Sequence, residues 1–396
     1  MFLKYFRFVA IALLGCCLAA CGEDNDEVKD IPPTPGGGEE VTPPDPEPDP
    51  EPAPEPGAGL TFDLSRQVIQ SNGEEKCEFI VKYDGAVLEN GYIIYDEKDN
   101  TVQNNKFFTT KIPGEYKFWA AYNGENTELV TLKAISIPVP ELPADPAPER
   151  TDFTKRVLLT QFTGTGCGYC PYMMSSMVKA LSDKTYADKA VWCVAHTFNR
   201  NDPCFLENDR LEQAFGISSY PALNIDFIKS FNYQRGFDES SVRSIIDQAY
   251  ENPAKAGVSG KAVLIEDNGV QKIALHVAVK AAQDGDYSVG AWLMEDSIYG
   301  RQNNQTNIEG DFDTHNNALR VVDSKAGFNN YAGIRLGKMA KGKVAEHVFI
   351  MNIDDKWILK NCHMAIFVAQ HENNRSSVTN VVPCAIEGDI IYDYVK

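Results

Sequence analysis

Hydrophobic and polar positions change period several times along this chain, and each change marks a different kind of segment. Residues 8–20 are almost uninterruptedly apolar. A spanning helix needs about 20 apolar residues, so this run is too short to cross a bilayer and reads as the core of a secretory signal. Residues 31–59 carry eleven prolines, which exclude helix and sheet. Residues 60–137 hold short β-rich runs, at 77–83, 91–95 and 114–120, bounded by Asp-Gly and Asn-Gly turn signals. They predict a small all-β domain. Five prolines within residues 138–148 make a second break. Beyond it, 155–162 reads as a buried strand and 173–181 as a helix with Met174, Met177, Val178 and Leu181 on one face. A second core strand at 190–196, a short helix at 209–215, a strand at 223–227 and a last helix at 239–250 follow. From Lys255 the period becomes two. Residues 272–280 alternate cleanly, and 287–294, 344–351 and 363–369 also read as strands, so residues 255–396 predict a second all-β domain, a sandwich. A long Asn- and Gly-rich insertion at 298–342 interrupts it, and loops of that length are often functional.

The N-terminus reads as an address. Lys4 and Arg7 precede the apolar run, and Leu18-Ala19-Ala20-Cys21 closes it. That ending resembles a bacterial lipobox, which implies cleavage after residue 20 and lipid attachment at Cys21; an ordinary signal peptide with Cys21 incidental is the alternative. The acidic stretch 22–27 is similar to the export signal that some Gram-negative bacteria use to place lipoproteins on the cell surface, or is simply a solvated linker. Either way the mature chain is expected in the cell envelope, anchored to the outer membrane through Cys21.

Charge sharpens this picture. The chain has 37 Lys and Arg against 56 Asp and Glu, a net charge of −19. Residues 21–59 hold twelve of those acids against one Lys, so about half the excess belongs to an extended, self-repelling stalk. The remainder is only mildly acidic and has no clustered Lys and Arg, which excludes a nucleic-acid partner. Ten cysteines in 396 residues are too few for a small disulfide-stapled scaffold.

Candidate chemistry sits in the middle. Thr163-Gly164-Thr165-Gly166 is a turn, and Cys167-Gly168-Tyr169-Cys170-Pro171 follows it at a strand-to-helix junction. Unpaired N–H groups at a helix N-terminus favour a thiolate, the form that attacks disulfides. Two intervening residues let Cys170 reach Cys167 and resolve a mixed disulfide. A permanent disulfide is the structural alternative. A zinc site would need two more ligands, and the six histidines, at 196, 276, 315, 347, 363 and 371, are scattered, so no metal is expected. Cys362 and Cys384 flank the final strands and are expected to pair; Cys193 and Cys204 are a weaker pair. Cys77 reads as a buried, inert thiol.

These surroundings resemble the thioredoxin superfamily. Residues 216–223, with Tyr220-Pro221, are similar to the loop that sets a cis-proline opposite the active cysteine, which implies that Tyr220 and Pro221 dock an extended substrate. The resemblance departs at two points. Gly166 stands where thioredoxins carry an aromatic residue, and Gln161 stands where they carry a buried acid. The Gly-Tyr dipeptide is similar to that of periplasmic disulfide isomerases, implying shuffling or oxidation rather than strong reduction.

Residues 114–120 resemble the late strand of bacterial immunoglobulin-like domains. The segment His315-Asn316-Asn317-Ala318-Leu319-Arg320, with Gly-Thr-Gly-Cys-Gly-Tyr-Cys-Pro at 164–171, resembles a lipoprotein family, the twenty-eight-kilodalton outer membrane proteins. That resemblance covers roughly residues 150–396. The expected order is therefore signal peptide (1–20), acidic linker (21–59), immunoglobulin-like β domain (60–137), Pro-rich linker (138–150), thioredoxin-like α/β domain (151–254) and C-terminal β-sandwich (255–396). The expected function is thiol–disulfide exchange on extracytoplasmic proteins, with Cys167 attacking, Cys170 resolving, no cofactor, and electrons from a partner protein. The alternative is a surface binding or adhesion protein without redox turnover.

Overall fold

The computed structural model describes residues 59–103, 105–207, 211–233, 235–322 and 330–396. The expected signal peptide, the lipid-attachment Cys21 and nearly all of the acidic stalk lie outside the described residues. No helix among the described residues is long and apolar enough to cross a membrane.

The described chain is rich in β-structure, arranged in several sheets. Two small sheets build the N-terminal part. One contains Leu60–Leu64, Cys77–Tyr83, Ala86–Val87 and Phe107–Phe108; the other contains Val68–Gln70, Val130–Ile135, Gly114–Tyr122, Ile93–Asp96 and Val102–Gln103. Alternate residues of the long strands, such as Phe79 and Val81, or Phe118 and Ala120, point into one shared core. Cys77 lies in that core, and burial pushes its thiol pKa up. The Tyr116 hydroxyl donates to the Ile112 carbonyl at 2.8 Å, tying a corner of this unit.

The Pro-rich stretch after residue 137 is packed rather than loose. His276 Nδ1 lies 2.7 Å from the Pro140 carbonyl and so donates to it. Lys280 is buried and meets Asp145 at 3.0 Å and the Pro148 carbonyl. Charged partners of this kind anchor a segment that cannot join a ladder.

The rest of the molecule is organised by one nine-stranded sheet. Its order is Lys229–Asn232, Ala222–Ile225, Val157–Thr163, Ala190–His196, Ala318–Val322, Gly285–Glu295, Cys362–Glu372 and Arg375–Ala385, with Ile334–Met339 also paired to Gly285–Glu295. Val157–Thr163 runs parallel to Ala190–His196, and the strand-to-helix-to-strand connection carries the helix Cys170–Leu181. The sheet is therefore continuous across residue 255. The join is narrow: Val194 opposes Ala318, and the Val194 amide donates to the Asn317 carbonyl at 2.9 Å.

Both faces of this sheet are covered. Val157 and Leu159 pack with Met173, Met177, Val242 and Ile246 of the helices Cys170–Leu181 and Glu239–Tyr250. Leu158 and Phe162, one residue out of phase, pack with Trp292, Phe367 and Val381 of the sheet's own far strands. The remaining faces of those far strands, through Val289, Ala291, Ile366 and Val368, pack on a second sheet of Val344–Asn352, Val270–Ala281, Ala256–Asp267 and Gly388–Ile390. Two buried faces explain why 287–294 and 363–369 are nearly solid apolar runs.

Several boundaries differ from the expectation. The first helix begins at Cys170, because Pro171 has no N–H to lose in the first turn. Its buried face is Met173, Ser176, Met177 and Ala180, and Val178 is exposed. The strand Ala222–Ile225 stops where Asp226 and Phe227 adopt positive φ, 47° and 62°.

The expected Cys362–Cys384 bridge is corrected: both thiols are free. Cys384 opposes Met364, and Cys362 sits two residues away opposite Glu295. Diagonal partners of that kind lie about 7–8 Å apart at Cα, beyond disulfide reach. Burial raises the two thiols to about 11 and about 12. Cys193 and Cys204 are also unpaired and buried.

Candidate functional site

Cys167 and Cys170 are joined by a disulfide at the end of the Val157–Thr163 strand and the start of the Cys170–Leu181 helix. Close approach explains the glycines around them. A Cβ on Gly164 would sit 2.6 Å from Phe198 Cβ, and one on Gly166 would sit 3.0 Å from Asn199 Oδ1. The Gly166 amide donates to that same Asn199 oxygen at 3.0 Å. The Thr165 amide donates to Asp202 at 2.6 Å. Residues 197–202 thus form one wall of the loop.

The other wall comes from the insertion. The Asn303 amide donates to the Thr165 carbonyl at 2.7 Å, and the Gln305 amide to the Gly168 carbonyl at 2.8 Å. The Gln302 side-chain amide donates to the Cys167 carbonyl at 2.9 Å and lies 3.2 Å from the Gly164 carbonyl. Gln305 covers Gly168, where an added Cβ would meet it at 2.7 Å. This strap leaves Cys167 only 4% and Cys170 0% exposed. Tyr169 between them is exposed.

The Tyr220–Pro221 peptide is cis and precedes the Ala222–Ile225 strand. Phe198 connects it to the cysteine loop: its ring stands edge-on to Tyr220 at 5.2 Å and borders Gly166. The Tyr220 hydroxyl shares a 2.9 Å hydrogen bond with Thr197. Gln161, on the first strand, is fully buried, and neither of its side-chain polar atoms has a partner. It lines a cavity of about 470 Å³ with Met174, Val178, Trp192, His196 and His315.

Histidines that are distant in sequence meet behind this loop. The His196 and His315 rings stand edge-to-face at 4.9 Å. His196 Nδ1 lies 2.9 Å from Asp202 Oδ2, and His315 Nε2 lies 2.8 Å from the Gly300 carbonyl. Burial acts to raise the Asp202 carboxyl, but the His196 ring and the Thr165 and Cys204 amides outweigh it and hold the pKa at about 2. Burial, helped by His196, lowers that of His315. Gln302, Asn303, Gln305, Asp202, His196 and His315 were all invisible as site residues in the sequence. The one signal available was the length and Asn content of the insertion that supplies four of them.

Comparison with known proteins bears on the C-terminal half. Residues 208–389 match the outer membrane protein Omp28 family. The matched stretch is similar to that family and includes the strap, Tyr220 and Pro221, and it starts beyond the two cysteines. The Omp28 match places the chain at the cell envelope, in the outer membrane. A solved structure described as HBP35 of Porphyromonas gingivalis aligns at 20% identity over 60% of this chain and 77% of its own, with a TM-score of 0.45. No curated protein matches.

Proposed function

We propose that this protein is a lipid-anchored cell-envelope thiol–disulfide oxidoreductase whose redox centre is Cys167–Cys170 in a thioredoxin-like domain. The observation that carries the reading is the bonded Cys-Gly-Tyr-Cys pair at a strand-to-helix junction, linked through Phe198 to the Tyr220–Pro221 loop. The reduced Cys167 thiolate attacks a sulfur of the substrate disulfide and expels the other sulfur as a thiolate. Cys170 then attacks Cys167, releases the substrate as a dithiol and leaves the pair oxidised. A reducing partner protein returns two electrons. In isomerisation a substrate thiol expels Cys167 instead, and no net electrons are consumed. Tyr220 and Pro221 would hold the substrate as an added strand. Cys21 would tether the chain to the membrane.

The test uses the full chain. Cys170→Ser should trap a mixed disulfide at Cys167 with an unfolded disulfide-containing protein, and the trap should be reversed by dithiothreitol. Wild type should reduce or reshuffle the disulfides of a test protein. If no adduct forms and no turnover occurs, the proposal fails.

The buried state of both cysteines favours a second reading, a surface binding protein that keeps the pair as a structural staple. Binding of a surface partner would then survive Cys167→Ser/Cys170→Ser.

A further inference from the structure

We propose that His196, His315 and Cys204 form a binding site for a zinc(II) ion, separate from the cysteine pair. One ring nitrogen of each histidine and the Cys204 sulfur all lie within 4.8 Å of one another, and all three residues are buried. They come from three segments: His196 ends the Ala190–His196 strand, Cys204 lies in the loop after it, and His315 comes from the insertion.

The hydrogen bonds fix which nitrogens are available. A carbonyl only accepts, so His315 Nε2 carries the proton that bonds Gly300, and its Nδ1 holds a lone pair. The Asp202 carboxylate is likewise an acceptor, so His196 Nδ1 carries the proton of that bond, and in the neutral ring that a metal requires its Nε2 holds a lone pair. These two atoms, His196 Nε2 and His315 Nδ1, are buried and have no hydrogen-bond partner. Two buried acceptor lone pairs without a protein partner, beside a thiol, are costly unless something bonds to them. A metal ion removes that cost.

The outer contacts fit the same reading. Metal-bound histidines donate their second N–H to a carboxylate or a backbone carbonyl, and here one does each. Asp202 is itself fixed by the Thr165 and Cys204 amides. Two imidazoles and a thiolate suit zinc, whose bonds of about 2.0–2.3 Å place tetrahedral ligand atoms roughly 3.3–3.7 Å apart. The present spacing, within 4.8 Å, exceeds that range by about 1 Å at most. His196 and His315 also line the 470 Å³ cavity, which supplies an entry path and a fourth position for water. Binding displaces the Cys204 thiol proton to solvent. Since Asp202 bonds both His196 and Thr165, the ion would brace the wall of the cysteine loop.

The test uses the mature full-length chain carrying Cys167→Ser/Cys170→Ser, so that neither the redox pair nor the preceding proposal contributes to the signal. Metal-free protein is titrated with cobalt(II) and then zinc(II). One cobalt per chain with a thiolate charge-transfer band, displaced by one equivalent of zinc, is expected. Cys204→Ser should abolish the band, and His315→Gln should weaken zinc binding at least tenfold. Asp202→Asn should weaken it about 10–100-fold through the lost support of His196. Absence of the band, or its persistence with Cys204→Ser, overturns the site. Should Cys204→Ser misfold, unchanged zinc affinity in folded His315→Gln overturns it equally.

Discussion

If the strap over Cys167 and Cys170 must lift before a thiol can attack, then weakening the strap must speed attack. Gln302 is the residue to change. Its side-chain amide has two N–H groups and four carbonyls within reach, those of Cys167 at 2.9 Å, Asn303 at 3.1 Å, Gly164 at 3.2 Å and Thr165 at 3.3 Å. Each buried N–H bond contributes about 1 kcal/mol net. Gln302→Ala thus removes about 2 kcal/mol from docking. At 1.4 kcal/mol per tenfold, the open population rises about 30-fold. The assay is pseudo-first-order reduction of the oxidised full-length protein by excess dithiothreitol, quenched by alkylation and read as a mass shift. Asn304→Ala is the control, since that side chain bonds within the insertion, to the Ile308 carbonyl. The expected result is a rate increase of about 30-fold for Gln302→Ala and none for the control. A folded Gln302→Ala protein reduced at the wild-type rate would refute gating by the strap.

Three further outcomes follow from packing and charge. Lys155 and Asp226 form a buried ion pair at 2.9 Å, and Asp226 also accepts from the Leu158 amide. Asp226→Ala should cost about 3–5 kcal/mol in urea unfolding, while Lys155→Met/Asp226→Asn, which tolerates the positive φ and still accepts from the Leu158 amide, should recover part of that loss. Burial raises the Asp145 carboxyl, but the Ala147 amide, Lys280 and Tyr394 more than compensate and leave its pKa below the ordinary value. A depressed carboxyl pKa stabilises the fold above the unfolded pKa near 4 and loses that contribution as pH falls below it. Wild type should therefore lose more stability than Asp145→Asn in melts stepped from pH 5 to pH 2.5. A Cβ on Gly290 would lie 2.2 Å from the Phe367 ring, so Gly290→Ala should cost about 1–3 kcal/mol and Phe367→Leu should relieve it.

Local chemistry was legible wherever it depends on neighbours in the chain. The strand ending at Thr163, the helix after the cysteines and the last helix, which Asp238 caps in the structure, follow from local hydrophobic period. Errors arose where distant chain decides. Val178 fits the apolar stripe, yet it is exposed, because the buried stripe runs one position earlier. Cys362 and Cys384 flank the final strands and are expected to pair, but register leaves them diagonal. His196 and His315 are more than a hundred residues apart, and no periodicity links them. The insertion read as a loop without structure supplies both Gln302 and the strand Ala318–Val322. Its backbone polar groups are spent on the cysteine loop and on the sheet, so its composition alone could not reveal either task.

The narrow seam between Val194 and Ala318 has a consequence for modularity. If residues 151–254 were excised, Ala190–His196 would become a bare edge with unpaired N–H and C=O groups, and Leu158 and Phe162 would lose Trp292 and Phe367. Such a fragment would self-associate rather than work. The two halves therefore fold as one unit, and neither can serve as an independent cassette.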